Sequence, residues 1–323
     1  VTLHKSYRQD LALIRTPMGW MAFGLLAALL LMVPFLPVVK AYVFDVTFFL
    51  VFAIVALAMA LLVGMTGQVS LGHAGFLAAG AYATGYLHGL GVPYLLALMA
   101  AAALSGLLGL VIGLPALRLE GPYLAIATLG FGLAVQQIIN NWDLLGASAG
   151  FAIDRPRLLG FSDPPFYYFV LLVFVFLGWM SFNLERSHVG RAFRAVRDAE
   201  LAAQMSGVDL ARIKTLAFVL SAAFTGVAGG LYGSLLFYVS PQNFSLFLSI
   251  KFLLMVVLGG LGFLPGALLG AGLVVGLDTA LARAQSLSQL LFGAVVVLLM
   301  MLEPHGIYGR WLRIRRYFRS WPM

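Results

Sequence analysis

Cysteine is absent from the 323 residues, which excludes disulfides and thiolate metal sites. Charge is scarce, at 10% Asp, Glu, Lys and Arg, against about 25% in soluble domains. The five histidines (His4, His73, His88, His188 and His305) are scattered, with no HExxH and no close pair, so none has the spacing of a catalytic metal site. Of the four lysines, Lys5, Lys40, Lys214 and Lys251, none follows a glycine. A GxxxxGK[ST] phosphate loop is thereby excluded, and with it an ATPase site of this kind in the chain itself. No carboxylate falls in the middle of an apolar run. Asp45 and Glu120 stand at run ends, and Lys251 and Asp278 lie near them. The usual mark of a proton or sodium carrier is therefore missing.

What is plentiful is apolar surface. Hydrophobic residues make up 62%, glycines number 36, and the mean hydropathy is +0.99. Spans of ~20 residues divide that apolar content into about ten membrane crossings. Soluble enzymes, disordered chains and collagen-like fibres are ruled out by this composition. An outer-membrane barrel is ruled out because its strands alternate, whereas these runs are continuously apolar. The predicted fold is all-α, a polytopic integral membrane protein with about ten transmembrane helices. The net charge of +8 is assigned to loops retained in the cytoplasm and not to nucleic-acid binding. Val1 in place of Met suggests an alternative start codon or a trimmed start, as in a bacterial gene.

Along the chain, spans are expected at residues 19–39, 46–65, 67–87, 93–117, 123–139, 166–182, 213–238, 247–260, 266–281 and 290–302. No A-x-A cleavage site follows the first, so it reads as an uncleaved helix. The third opens on GQVSLGHAGF, too glycine-rich and polar for a plain span. Arginines set the topology, since short basic loops stay in the cytoplasm. Residues 1–18 and 303–323 become cytoplasmic tails, the second carrying Arg310, Arg313, Arg315, Arg316 and Arg319. Residues 19–302 form the transmembrane domain. Within it, 140–165 is a periplasmic loop and 183–212 the largest cytoplasmic one, with Arg186, Arg191, Arg194, Arg197 and Arg212.

Small residues recur every fourth position at Ser105, Gly109 and Gly113, at Gly229 and Gly233, and at Gly262, Gly266 and Gly270. On helices they let a neighbouring backbone come close, and packing within one subunit is expected over a dimer seam. Within 183–212, Ala192, Val196, Ala199 and Ala203 fall at i, i+4, i+7 and i+11, a narrow small-residue stripe on one short helix. Arg194 and Asp198 are spaced to pair on its other side, and Gly207 is a stop signal. Such a helix either lies on the membrane or docks into a cytoplasmic partner, and the small stripe favours docking.

The stretch 200–207, ELAAQMSG, resembles the EAA-x3-G coupling loop of ATP-binding-cassette importer permeases, with one extra residue after Glu200. More specific is 67–82, GQVSLGHAGFLAAGAY, which resembles the signature of the branched-chain amino acid permease family of the LivH/LivM type. Residues 121–132 (GPYLAIATLGFG), 255–271 (MVVLGGLGFLPGALLGA) and 304–309 (PHGIYG) resemble further motifs of that family, the first characteristic of its LivM-like half. Gly146, Ala147 and Ser148 stand where Thr-Gly-Gly is usual, Leu133 where many members carry Glu, and Lys251 where Glu is frequent.

The resemblance implies a permease subunit without catalytic residues or bound cofactor, whose ATP is hydrolysed by partners. Those partners are a LivH-like sister permease, two ATPases and a periplasmic binding protein, assembled in a bacterial inner membrane. The expected cargo is a branched-chain amino acid, with urea or short amides as the alternative. A passive channel, a secondary carrier or a structural subunit without a path are the competing classes. Path candidates are Gln68, Ser70 and His73, with Tyr123 and Thr128 beside them. An unwound span lining a cavity can offer freed backbone groups to a zwitterion. The same Gln68 and His73 could instead satisfy neighbouring backbone. Arg194, Arg197, Asp198, Glu200, Ala203 and Gly207 are the candidates for coupling to the ATPase.

Overall fold

A computed structural model of the chain describes residues 24, 28–35, 42–116, 119, 121–153, 163–281, 288–302 and 306–319. The first expected span, 19–39, lies largely outside these residues, and 1–18, 154–162 and 320–323 lie wholly outside them. Twelve helices are numbered here in chain order. The first five are α1 (Val43–Met59, continued by a π turn at Ala60–Gly64), α2 (His73–Gly89), α3 (Tyr94–Ala116), α4 (Pro122–Asn140) and α5 (Asp163–Arg186). Next come α6 (His188–Asp198), α7 (Glu200–Met205), α8 (Leu210–Leu236), α9 (Leu246–Gly259), α10 (Leu264–Leu281), α11 (Ser288–Leu302) and α12 (Gly306–Arg319). Two short strands, β1 (Phe151–Ala152) and β2 (Tyr238–Val239), pair antiparallel. This is the one departure from an all-α chain among the described residues.

The most apolar span is also the most enclosed. The span Val43–Gly64 has the highest mean hydropathy, 3.0, and is buried on all sides through Leu50–Val63. Such all-round apolarity belongs to a helix enclosed by others. The spans Tyr94–Pro115, Pro122–Asn140, Pro165–Arg186, Leu210–Leu236 and Leu264–Leu281 also have spanning length. The run Leu290–Ile314 is long enough as well, but Gly306 has φ +74°, which ends straight helix. We therefore keep α11 and α12 apart. α2, at 17 residues, is entered through the unwound stretch 67–72, and α9 has 14 residues. Of the ten expected crossings, six are helices of spanning length, α2, α9 and α11 are shorter, and the first lies largely outside the described residues.

Glycines bring α2, α3 and α8 into backbone contact. A Cβ on Gly80 would collide with the Gly226 carbonyl, and one on Gly229 with the Leu77 carbonyl. On α3, a Cβ at Gly109 would lie 2.6 Å from Ala222 Cβ, and Gly113 packs against Thr215 and Phe218. The Ser105, Gly109, Gly113 and Gly229, Gly233 ladders are therefore used inside the subunit. In the third set only Gly266 and Gly270 are helical, packing on Gly259 and Met255. Gly262 instead occupies the turn between α9 and α10 at φ +87°.

Two ends emerge. At one, Arg197 reaches Gly64 and Gly262, and Gly306 abuts Gly260. The π turn, α6, α7, the α9–α10 turn and the start of α12 therefore gather together. At the other end β1 pairs with β2, and Ile153 fills the notch left by Gly85 and Gly233.

Candidate functional site: an unwound span beside a paired-helix elbow

The polar stretch 67–72 leaves α1 and turns back into the bundle before α2 begins. Gly67 permits the turn with φ +73°. The stretch and the first turn of α2 are held by side chains from three other elements. Leu71 N–H donates to Thr128 Oγ1 on α4 at 3.0 Å, and Ala74 N–H to Ser249 Oγ on α9 at 3.0 Å. His73 Nε2 lies 2.8 Å from Ser221 Oγ on α8, and Ser221 donates to the Ala58 carbonyl of α1 at 2.8 Å. With its proton so used, Ser221 accepts from Nε2–H. His73 Nδ1 is then the acceptor, at 3.0 Å from Ser70 Oγ. Ser70, His73 and Ser221 thus form a buried chain of hydrogen bonds that links α2 to α8 and α1, while Thr128 holds the segment separately through Leu71.

Gln68 differs. Its residue is 5% exposed, and neither Oε1 nor Nε2 has a hydrogen-bond partner. A buried carboxamide left unpaired costs about 1–3 kcal/mol, so this position carries a cost that the neighbouring network does not explain. Tyr123 is not part of the group. It is exposed at the start of α4, while Thr128 on the same helix is buried. The sequence missed Ser221 and Ser249, whose only signal is a small hydroxyl inside an apolar run.

The expected loop 183–212 is largely helical. α5 continues through Arg186, and Ser187 caps α6 by accepting from Gly190 N–H. The single striped helix is corrected: the chain is extended at Ala199 (φ −162°, ψ 101°), separating α6 from α7. Val196 and Ala203 are buried against this chain's own core, Ala199 is exposed, and the stripe is not a continuous face. The Arg194–Asp198 pair is also corrected. Arg194 meets Glu185 at 3.5 Å, and Asp198 accepts from Arg197 at 3.1 Å. The break at Ala199 and the rival carboxylate on α5 account for both differences. Gly207 does end the segment, at φ +83°.

Glu200 pairs with Lys214 of α8 at 2.6 Å, and the lysine side chain is buried. Lys214 was not anticipated, although it is a cation at the mouth of an apolar run. Arg197 donates through Nη1 to the Gly64 carbonyl at 2.8 Å, satisfying an oxygen at the end of the π turn that helix geometry leaves open. On α7 the outward residues are large: Leu201 is 79% and Met205 92% exposed. Beside them Ala199, Glu200, Gln204, Val208 and Lys214 line a groove of about 1030 Å³.

Apolar helices of spanning length around a buried unwound segment define a multi-pass membrane transport protein. The model of the family "Branched-chain amino acid transport system / permease component" matches residues 41–302, and the chain belongs to that family. It is 35% identical over 290 residues to the high-affinity branched-chain amino acid transport system permease protein LivM of Salmonella typhimurium, covering 81% of this chain and 68% of that one. Identity to LivM of Escherichia coli is 34% over the same shares. The LivH permease of Salmonella typhimurium is 27% identical over 193 residues, 58% of this chain and 59% of that one. No solved structure matches.

Proposed function

We propose that the chain is one of two permease subunits of an ATP-driven importer for branched-chain amino acids, moved between outward- and inward-open states by partner ATPases. The LivH and LivM relatives support a paired permease. A periplasmic binding protein delivers cargo. The observation that carries the reading is the bare pair Leu201 and Met205, one turn apart on α7 and beside a groove. An apolar, outward, rigidly braced knob at the end of a membrane bundle suits docking into a soluble subunit. The end bearing α6 and α7 then faces the cytoplasm, together with both tails. The brace is internal: Glu200 to Lys214, and Arg197 to Gly64.

ATP binding in the partners supplies the differential stabilisation that a two-state switch requires. Displacement of α7 is passed by Arg197 to the π turn, and from there to the unwound segment. Gln68 is the path residue, because its carboxamide offers both an acceptor and donors, matching the ammonium and carboxylate of a free amino acid. Ser70, His73 and Thr128 hold the segment's shape around it.

The test is substrate-stimulated ATP hydrolysis and uptake by the reconstituted complex. Leu201→Glu and Met205→Glu, both at exposed positions, lower stimulation while leaving expression intact, and normal stimulation in both removes the docking reading. Uptake by this chain alone would make it a carrier. Isoleucine, leucine and valine compete for uptake in the expected outcome. Competition by urea and not by these amino acids reassigns the cargo.

A further inference from the structure

We propose that α12 is an interfacial helix that reads anionic lipid at the membrane surface. The helix begins where α9 and α10 turn at the bundle end. Gly306 abuts Gly260, and the Tyr308 ring packs at a tilt against Phe263 of that turn with ring centroids 5.2 Å apart. α11, an apolar helix, ends only four residues earlier at Leu302. α12 therefore starts at the level where a bilayer spanned by these helices gives way to headgroups.

Its sequence, GIYGRWLRIRRYFR, has the pattern such a position needs. Ile307, Trp311, Ile314 and Phe318 fall at i, i+4, i+7 and i+11, within about a quarter turn of one another. Arg310 falls beside that stripe and Arg313 further round, and the sequence adds Arg315, Arg316 and Arg319. No acidic residue occurs in the helix. At Trp311 and Ile314 the stripe is not packed on the bundle. Tyr308 supplies that contact, while Trp311 is 58% and Ile314 43% exposed.

A bare tryptophan and isoleucine flanked by arginines suit the headgroup–acyl boundary, where the apolar edge sinks and the guanidinium groups meet phosphates. A soluble partner is a poorer match, since a helix whose charges are all cationic, at a bundle end, lies within reach of the anionic surface itself. The occupant is therefore a bilayer containing anionic phospholipid.

The absence of cysteine makes the test direct. Single spin labels at Ile314→Cys on the stripe and Arg313→Cys on the charged face are placed in the full chain. Each is reconstituted in phosphatidylcholine with and without phosphatidylglycerol. The Ile314 label is expected to collide with oxygen and be shielded from a water-soluble nickel chelate, the Arg313 label the reverse. Phosphatidylglycerol deepens the Ile314 label. Arg310→Gln and Arg316→Gln each reduce that lipid dependence, by roughly fivefold in surface partitioning. A second readout needs no label: brominated phosphatidylglycerol quenches tryptophan emission that Trp311→Phe removes. An Ile314 label equally open to nickel in both lipids overturns the proposal. So does shielding that appears only on adding the ATPase subunits, or quenching identical in wild type and Trp311→Phe.

Discussion

Arg197 and Gly64 stand 133 positions apart in sequence and meet through a single 2.8 Å hydrogen bond from guanidinium to carbonyl. The same side chain runs along Gly67 and Gly262, whose missing Cβ atoms leave it room. Arg197 thus ties the α6–α7 elbow to the point where α1 gives way to the unwound segment. A hydrogen bond to a charged group contributes about 1.5–3 kcal/mol. Arg197→Gln is expected to fold, to assemble, and to lose most of the rise in ATP turnover that cargo produces. Arg197→Lys, lacking the planar fork that also holds Asp198, recovers little. Full stimulation in both variants would show the contact to be passive.

Gln68 separates a structural role from a transport role by sign. Replacing an unpaired buried amide with an apolar group of similar size is neutral or stabilising. Gln68→Leu should therefore keep or raise the melting temperature in detergent while lowering uptake about tenfold, the effect of losing one or two ligand hydrogen bonds. Uptake at the wild-type rate would remove Gln68 from the path.

Gly229 tests the packing that holds α8 to α2. One methyl there meets the Leu77 carbonyl, and overpacking of this kind costs about 1–3 kcal/mol. Thermal unfolding of Gly229→Ala should fall well below wild type. Gly276→Ala on α10, with nothing within 4 Å, should not lower it. Equal losses in the two variants would mean the close approach is not what sets stability.

Lys251 and Asp278 form an ion pair between α9 and α10 at 2.7 Å, with the ammonium also over the Phe292 ring at 5.2 Å. Each is partly exposed, so the expected cost of Asp278→Asn is about 1–3 kcal/mol, below that of a fully buried pair. The exchanged pair, Lys251→Asp with Asp278→Lys, should recover much of the loss. Single variants as stable as wild type would show that the pair contributes nothing.

The membrane fold was legible because span length and apolarity are local properties. The unwinding at 67–72 was legible for the same reason: glycines and polar side chains interrupt an apolar run. The elbow was not. A stripe at helical spacing through Ala192, Val196, Ala199 and Ala203 carries no sign that the backbone extends at Ala199, and Glu185 lies outside the window in which Arg194 finds a partner at i+4. Glu200–Lys214 and Arg197–Gly64 join separate elements, which periodicity does not see. Tyr123 illustrates a limit peculiar to membranes. Spans are apolar on every side, so sequence does not distinguish a residue facing lipid from one facing a path, and Tyr123, exposed at the start of α4, is open to either.

The β1–β2 pairing has a mechanical corollary. Phe151 and Ala152 are laced to Tyr238 and Val239 at the exit of α8, Ile153 N–H donates to the Phe237 carbonyl at 2.8 Å, and the Tyr238 hydroxyl bonds to Ala149. The far-end loop is in this way fastened to the top of the same rod whose foot carries Lys214. Any axial slide of that rod moves both extremities at once, so a push arriving at one surface is felt at the opposite one without a relay of intermediate side chains.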